Sequence, residues 1–268
     1  MKTINIGKEN ATFQEIVALK ENRTKRHSEK KFFVEGVQNI KDALANDWQI
    51  YAFIYSDFFS LSNWAKGILK EAEFNYCLTA DLMNKLSDKD ETSELLAIIK
   101  MKESTNVQRS DCPLIVLLDR PSKKGNFGSI IRSCDALNVE EIFFTGHAVD
   151  IYDASVITST MGSFFKVPFR FLSSNEEYER EVAFLKEKYK DFQVVGTSLQ
   201  TDIKIEDCDF KKPTLLLVGN EANGLSKFYN EKADVLARIE MREGIDSLNV
   251  ACATTAVLYE VSRQRKSC

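Results

Sequence analysis

From Pro113 onward, short apolar segments alternate with longer stretches that carry a helical pattern. Six segments follow one another: LIVLLD, EIFFTG, KVPFRF, FQVVGTS, TLLLVGN and DVLARIE. Strands that are apolar along most of their length are typical of a mostly parallel sheet with helices on both faces. Ligands of such sheets bind beyond the carboxyl ends of the strands. The pattern therefore predicts an α/β domain whose site lies in the loops that follow its strands.

The first hundred residues alternate strands and helices on a smaller scale. We predict strands at 32–34, 50–55, 75–78 and 95–99, and helices at 37–45, 61–71 and 81–86. The segment MKESTNVQRSDC is polar and without periodicity, as is typical of a linker. The sequence therefore predicts two domains, 1–105 and 112–268, joined by a linker at about 101–112. A chain of 268 residues is long enough for two hydrophobic cores.

Composition argues against several classes of protein. Six cysteines and two histidines show no CxxC pair, so neither a metal site nor a disulfide framework is expected. The N-terminus lacks the apolar core of a signal peptide, and the apolar runs are too short to span a bilayer. A cytoplasmic protein is expected. Because the net charge is −4, any contact with nucleic acid must come from a local basic patch.

The densest basic run in the chain is ENRTKRHSEKK, at 21–31. Its cations are Arg23, Lys25, Arg26, Lys30 and Lys31. Most charge runs are solvated surface, and the run alone favours that interpretation. Clustered lysine and arginine can also bind the phosphates of RNA, because each contact releases counterions.

Three motifs stand near the ends of predicted strands. DRPSKKGNFGSIIRSCDAL lacks the Gly-Lys-Ser/Thr of a phosphate loop and lacks GxGxxG, so neither common nucleotide site is supported. We predict a loop at 119–128 and a helix from about Ser129. Arg132 by itself is interpreted as a surface residue that pairs with Asp135. In LLLVGNEANGLS two glycines indicate a tight turn but leave Glu221 unexplained.

The third motif, IEMREGIDSLNV, leads into a helix whose N-cap is predicted at Asp246 or Ser247. The first turns of that helix are mostly small residues, at 251–256. Small residues allow close approach of another backbone. We expect this backbone to be a second subunit or another part of the same fold, with Cys252 shielded there.

Together these motifs resemble, in order, the signatures of the SpoU/TrmH family of RNA 2′-O-ribose methyltransferases, in the SPOUT superfamily. NxGxxxR corresponds to Asn126, Gly128 and Arg132, and GNExxGL lies at 219–225. The third signature, IxMxxGxxSLNV, lies at 239–250. The run that ends in KKFFVEG, with the helix and strand after it, resembles the family's N-terminal substrate-binding domain. That domain is similar in fold to ribosomal protein L30e, a small RNA binder.

The resemblance implies an L30e-like α/β domain, then a SPOUT domain with a mostly parallel sheet, a C-terminal trefoil knot and a homodimer. It implies the cofactor S-adenosyl-L-methionine, and the residues expected to bind it are Thr197, Gly219, Asn220, Ile239, Met241 and Leu248. The expected catalytic residues are Asn126, Arg132, Glu221, Ser247 and Asn249, with Arg132 orienting the reacting hydroxyl. The expected RNA-binding residues are Arg23, Lys25, Arg26, Lys30 and Lys31, and no metal is expected.

Three positions depart from the family pattern: Thr158 replaces a basic residue, Glu240 a proline and Glu243 a glycine. The expected reaction is methylation of a ribose 2′-hydroxyl in structured RNA. Ribosomal RNA is favoured because the N-terminal domain resembles a ribosomal RNA binder. The alternatives are transfer RNA as the substrate, or a non-catalytic RNA-binding member of the fold. A nicotinamide oxidoreductase is disfavoured because its glycine fingerprint is missing.

Overall fold

The structure is a computed structural model that describes residues 2–58, 60–89, 91–102, 107–242, 244 and 247–266. The chain forms two compact units. The first unit is Met1–Glu103 with Asp150–Lys166, and the second is Ser104–Val149 with Val167–Cys268. The predicted division at about 101–112 did not place Asp150–Lys166 with the N-terminal half. Within the described ranges, no helix has the length and apolar character needed to cross a membrane.

The N-terminal hundred residues form a five-stranded sheet with five helices on the described part of the chain. The elements are β1 (Lys2–Ile6), α1 (Ala11–Glu21), α2 (Arg23–Glu29), β2 (Lys31–Glu35), α3 (Val37–Ala45), β3 (Ile50–Ser56), α4 (Asn63–Ile68), β4 (Phe74–Leu78), α5 (Ala80–Leu86) and β5 (Leu96–Lys100). The strand order is β1-β4-β3-β5-β2, with β5 antiparallel to both neighbours. The predicted strands and helices are confirmed, with ends that differ by a few residues. Strand β1 was not predicted, and the basic run contains helix α2, with Lys30 after the helix and Lys31 in β2.

The rest of the described chain supplies the second sheet and the helices around it. The elements are β6 (Leu114–Asp119), α6 (Lys124–Ala136), β7 (Glu141–Thr145), α7 (Ala154–Thr160), β8 (Phe169–Leu172), α8 (Asn175–Lys188), β9 (Gln193–Thr197), β10 (Thr214–Val218), α9 (Lys227–Lys232), β11 (Val235–Ala237) and α10 (Val250–Lys266). Helix α7 belongs to the first unit and the other elements to the second.

The second sheet has the order β11-β9-β10-β6-β7-β8, and every neighbouring pair is parallel. Each residue of β6, β7 and β10 is buried. The predicted parallel sheet is therefore confirmed. Because its strands all run in one direction, the loops that follow β6, β9, β10 and β11 leave from the same edge of the sheet.

The segment Asp150–Lys166 is held in the first unit by aromatic packing. Phe32 packs against Tyr152 and Phe164, with ring centroids 4.9 and 5.6 Å apart. The indole Nε1 of Trp48 donates a hydrogen bond of 3.0 Å to the carbonyl oxygen of Phe165. These contacts join residues more than a hundred positions apart, which explains why the sequence pattern did not assign the segment.

Candidate functional site

A cavity of about 780 Å³ lies at the carboxyl edge of the second sheet. The segments after β9, β10 and β11 and the start of α10 line it. Its volume falls in the range of small-molecule sites, about 300–1,000 Å³. All six residues predicted to bind the cofactor line this cavity: Thr197, Gly219, Asn220, Ile239, Met241 and Leu248. Ser247, one of the predicted catalytic residues, lines it as well.

The wall formed by 219–224 is a tight turn. Asn220 and Gly224 exchange two backbone hydrogen bonds, of 2.9 and 3.0 Å. Gly224 has a φ of +63°, a conformation that favours glycine. A β-carbon on Gly219 would lie 2.2 Å from the carbonyl carbon of Gly224. Both glycines are therefore required by the turn, as the sequence predicted.

Glu221, at the tip of this turn, is bonded to the loop that follows β6. Its carboxylate accepts hydrogen bonds from the Ser122 hydroxyl at 2.7 Å and from the backbone N–H groups of Ser122 and Lys123 at 3.2 and 3.1 Å. Partial burial raises the pKa of Glu221, but these hydrogen bonds outweigh that effect and leave its pKa below the ordinary value. Glu221 thus connects two loops as a carboxylate.

Asn126 and Asn249 extend this connection to the last helix. The side-chain amide of Asn126 donates to Glu221 at 3.2 Å, and its oxygen accepts from the amide of Asn249 at 3.0 Å. Asn249 in turn accepts from the backbone N–H of Ala251 at 2.9 Å. The cap of α10 is therefore Asn249, so the prediction of Ser247 was wrong. Asp246, the other predicted cap, lies outside the described residues.

Helix α6 begins earlier than predicted. Its first residue is Lys124, so Gly125 and Gly128 lie inside the helix and not in a loop before it. The early start brings Asn126 into the first turn, facing Glu221. The prediction of a helix from Ser129 was wrong because glycine punctuation suggested a longer loop.

Asp119, the last residue of β6, is a structural part of the site that the sequence analysis missed. It is only 2% exposed and accepts from the backbone N–H of Ser226 at 2.7 Å. Its carboxylate also accepts two hydrogen bonds from Arg120, at 2.9 and 3.0 Å. The carbonyl of Arg120 accepts from the Asn220 amide at 2.6 Å. A carboxylate that ends a continuous apolar strand was the signal that could have identified it.

Arg132 lies apart from the other predicted catalytic residues. It is exposed, does not line the cavity, and makes no hydrogen bond or ion pair with any residue that the structure describes. At 100° per residue, its side chain leaves α6 about 120° away from that of Asn126. The structure therefore connects Asn126, Glu221 and Asn249 and places Ser247 at the cavity, but it does not bring Arg132 to them within one chain.

The structure corrects the assignment of Arg26 as an RNA-binding residue. Arg26 is 2% exposed, and its guanidinium lies 2.7 Å from the carboxylate of Asp150. It also donates to the carbonyl oxygens of Leu19 and Lys20. Breaking one side of such a buried pair leaves an uncompensated charge, so Arg26 has a structural role.

The other four cations of the basic run are at least partly accessible. Lys25 bonds to Glu29 at 3.0 Å, and Lys31 lies 3.6 Å from the ring centroid of Tyr51. Arg23 and Lys30 are exposed. Their role as RNA-binding residues stays a prediction.

The small residues of α10 have two different environments. Ala253 lines the cavity, whereas Cys252 is exposed. The hydroxyls of Thr255 and Ser133, on α6, lie 2.7 Å apart, so α6 is one neighbour of this helix. The described part of the chain leaves Cys252 exposed, and its burial against a second subunit stays a prediction.

Both parts of the chain match known protein families. Residues 113–259 match the SpoU rRNA methylase family, and residues 10–97 match the SpoU L30e-like domain. The chain is 37% identical to a 23S rRNA (uridine(2479)-2′-O)-methyltransferase of Streptomyces viridochromogenes, over 98% of this chain and 93% of that protein. It is also 34% identical to a tRNA (guanosine(18)-2′-O)-methyltransferase of Aquifex aeolicus, over 62% and 76% of the two chains.

Solved structures agree over nearly the whole chain. The SpoU methyltransferase AviRb from Streptomyces viridochromogenes, in complex with the cofactor AdoMet, matches with a TM-score of 0.91 and 37% identity. That match covers 97% of this chain and 99% of the other. An AdoMet-bound rRNA methyltransferase from Sinorhizobium meliloti matches with a TM-score of 0.85 and 26% identity, over 97% and 98% of the two chains.

Proposed function

Because this chain belongs to the SpoU rRNA methylase family, we propose that it transfers a methyl group from S-adenosylmethionine to a ribose 2′-hydroxyl of ribosomal RNA. The observation that carries this proposal is the convergence of three separate motifs around one cavity. Residues of the second and third motifs line the cavity, and Glu221 and Asn249 each bond to Asn126 of the first motif.

The cavity fits the proposed cofactor. Leu236, Ile239 and Leu248 supply apolar surface for an adenine ring, and Thr197, Asn220 and Ser247 supply polar groups for the ribose and the amino acid part. When bound, S-adenosylmethionine supplies a methyl group on a positively charged sulfur, which an oxygen nucleophile can attack. We propose that the cavity as a whole binds this cofactor.

The residues near the cavity suit a ribose oxygen better than a base carbon. Base carbons are commonly activated by a cysteine nucleophile, and thiolates are the reactive form. Cys134 is buried in α6, and burial raises the pKa of its thiol, which disfavours the thiolate. Cys252 does not line the cavity. In the described ranges no group of histidine, cysteine and acidic residues could hold a metal ion. Ser247 and Asn249 instead offer neutral hydrogen bonds to a hydroxyl.

The test is to incubate the protein with labelled cofactor and transcripts of 23S rRNA and of transfer RNA, followed by alkaline hydrolysis. A methylated 2′-oxygen cannot attack the neighbouring phosphate, so the label should remain in an alkali-resistant dinucleotide. We expect this product from the 23S transcript, because the full-length relative in the comparison acts on 23S rRNA. A 2′-deoxy substitution at the mapped nucleotide should then abolish transfer, since RNA differs from DNA at that group.

Label that is released as a mononucleotide or on a free base would contradict the ribose assignment. Label found only in transfer RNA would favour the second substrate class, which the Aquifex aeolicus relative represents. Cofactor binding without transfer to either RNA would favour the non-catalytic alternative.

Glu221→Gln should weaken cofactor binding by about 10–100-fold, because hydrogen bonds to a charged group contribute about 1.5–3 kcal/mol each. In this variant the side-chain NH₂ group, a donor, would lie against one of the backbone N–H groups that now donate to a carboxylate oxygen. Calorimetric titration with S-adenosylmethionine measures the change. Glu187→Gln removes the same charge from the exposed surface of α8 and should bind normally. Equal affinities in the two variants would contradict the role of Glu221.

The same carboxylate predicts how the site responds to acid. The pKa of Glu221 is lower in the folded protein, so its stabilising effect is complete above the ordinary glutamate pKa of about 4.3. The effect is lost as the pH falls below that value through the lowered pKa. Wild-type protein should therefore hold the cofactor through neutral pH and approach the behaviour of Glu221→Gln only in acid.

We also propose that the protein is a cytoplasmic homodimer. Its domains are proposed at the predicted boundaries, 1–105 and 112–268, with a trefoil knot in the second unit. Support for the dimer comes from an exposed stripe on α10, formed by Cys252, Thr255, Ala256 and Tyr259. Tyr259 is 65% exposed, which is high for a large aromatic residue. Arg132 is exposed on α6, and the next residue, Ser133, lies 2.7 Å from the hydroxyl of Thr255 in this stripe. We propose that a second chain covering the stripe brings its own cavity toward Arg132.

A further inference from the structure

The chain needs cations near the cavity if it is to hold RNA there. Its net charge is −4, so attraction to a polyanion must be local. The basic run of the first unit supplies less than its composition suggests, since Arg26 is buried and Lys25 bonds to Glu29. Arg132 is a single charge. Further cations that hold RNA at the cavity must therefore stand on the loops beside it.

The loop between β6 and α6 ends at Lys123, whose side chain is exposed. The neighbouring carboxylate of Glu221 accepts from the backbone N–H groups of the loop, the Ser122 hydroxyl and the Asn126 amide. The carboxylate therefore fixes the shape of the loop while the ammonium group of Lys123 stays in solvent.

A second lysine follows the neighbouring loop. Lys227 is the first residue of α9, lines the cavity, and has a side chain that is 90% exposed. Its only ion pair in the described part of the chain is with Glu231, at 3.8 Å, on the same helix. Exposed pairs of this kind are weak and exchange readily with other anions.

Several hydrogen bonds hold these two loops together. Asp119 accepts from the backbone of Ser226, the residue before Lys227, at 2.7 Å. Glu221 accepts from the backbone of Lys123 at 3.1 Å, and Asn220 donates to the carbonyl of Arg120 at 2.6 Å. The backbones of Lys123 and Lys227 are thus fixed beside the cavity, while both exposed side chains can follow a phosphate.

We propose that Lys123 and Lys227 form a phosphate-binding rim that holds the RNA backbone on either side of the target ribose. This proposal rests on the proposed function, because the rim would supply the contacts that hold the RNA substrate at the cavity. The rim reads no base: phosphate contacts fix position, and sequence must be read elsewhere. Its ligand is the ribose–phosphate backbone of RNA.

The test measures binding of a fluorescent 23S rRNA transcript to the full-length protein at several salt concentrations. Each lysine that contacts a phosphate should contribute about one to the slope of log affinity against log salt. Lys123→Gln and Lys227→Gln should each flatten the slope by about one, and the double variant by about two. When the slope of the double variant differs from that of wild type by two, the ratio of the two affinities changes by about 16-fold between 50 and 200 mM salt.

The matched control is the double variant Lys190→Gln/Lys211→Gln. Both lysines are exposed and precede strands β9 and β10, at the amino edge of the sheet, opposite the cavity. The control should keep the wild-type slope. An unchanged slope in the Lys123 and Lys227 variants, or an equal loss in the control, would overturn the proposal.

Methyl transfer by wild-type protein separates this proposal from the function on which it rests. If wild type transfers methyl groups but the rim variants keep its salt dependence, only the rim is refuted. If the rim variants flatten the slope but wild type methylates neither RNA, the rim stands and the methyltransferase activity is refuted.

Discussion

Gly219→Val should abolish binding of S-adenosylmethionine and leave the N-terminal unit folded. A β-carbon at this position would lie 2.2 and 2.3 Å from the backbone atoms of Gly224 and Leu225. Two backbone hydrogen bonds close this turn, and its backbone atoms cannot rotate away as a flexible side chain could. The added β-carbon would therefore force the turn to open. Because 219–225 forms one wall of the cavity, opening the turn removes part of the binding surface.

Calorimetric titration measures the loss, and circular dichroism with thermal unfolding checks that the protein remains folded. Gly125→Ala is the control, since a β-carbon there meets nothing within 4 Å and Gly125 lies in helix α6. Alanine stabilises a helix relative to glycine by about 1 kcal/mol, so this variant should be as stable as wild type or more so. A folded Gly219→Val protein with normal affinity would exclude this placement of the cofactor.

Arg132→Ala should lower turnover by about 10²-fold or more, the scale of losing a positioned catalytic group, while cofactor affinity is retained. Arg132 does not line the cavity in its own chain, so we expect cofactor binding to that chain to be retained. Arg132→Lys should also turn over slowly, because an ammonium group cannot replace a planar guanidinium that contacts a hydroxyl and a phosphate together. Single-turnover methylation with saturating RNA and cofactor is the measurement.

Mixed dimers show in which chain Arg132 acts. One chain carries Arg132→Ala and the other Gly219→Val, with different affinity tags, and the doubly tagged species is purified. If Arg132 acts across the dimer, the chain with the intact cavity receives Arg132 from its partner. About half of the wild-type activity should then return, because one of two equivalent sites is complete. An inactive mixed dimer would place Arg132 in its own chain's site, and failure to isolate one would contradict the dimer.

Local pattern was enough to locate most elements of this fold. Every residue in the apolar runs of β6, β7 and β10 is buried. This is the burial pattern of strands in a parallel sheet that is covered by helices on both faces. Glycines 219 and 224 were correctly assigned to a turn because backbone sterics restrict which residues fit there. The six residues predicted to bind the cofactor came from motif resemblance, and the structure collects them around one cavity.

Strand β1 was missed because KTINI is short and mostly exposed, and its stability comes from pairing with β4, in which Lys2 pairs with Phe74. The start of α6 was placed too late because glycine is a weak helix former, and packing overrode that preference. The cap of α10 was placed too early because serine and aspartate are good caps by propensity. Asn249 took that position because Asn126 fixes its side chain.

The sequence by itself determined the strands, the helices and the order of the three motifs, because these depend on periodicity and backbone sterics within a few residues. Only the tertiary structure decided which charges face solvent. Arg26 and Lys25 are neighbours in one basic run, yet Arg26 is buried against Asp150, 124 positions away, and Lys25 is not. Glu221 was singled out in the sequence, but its partners, Ser122 and Lys123, lie about a hundred positions earlier. Charge, burial and hydrogen bonding depend on distance in space, which a chain acquires only when its strands are arranged in a sheet.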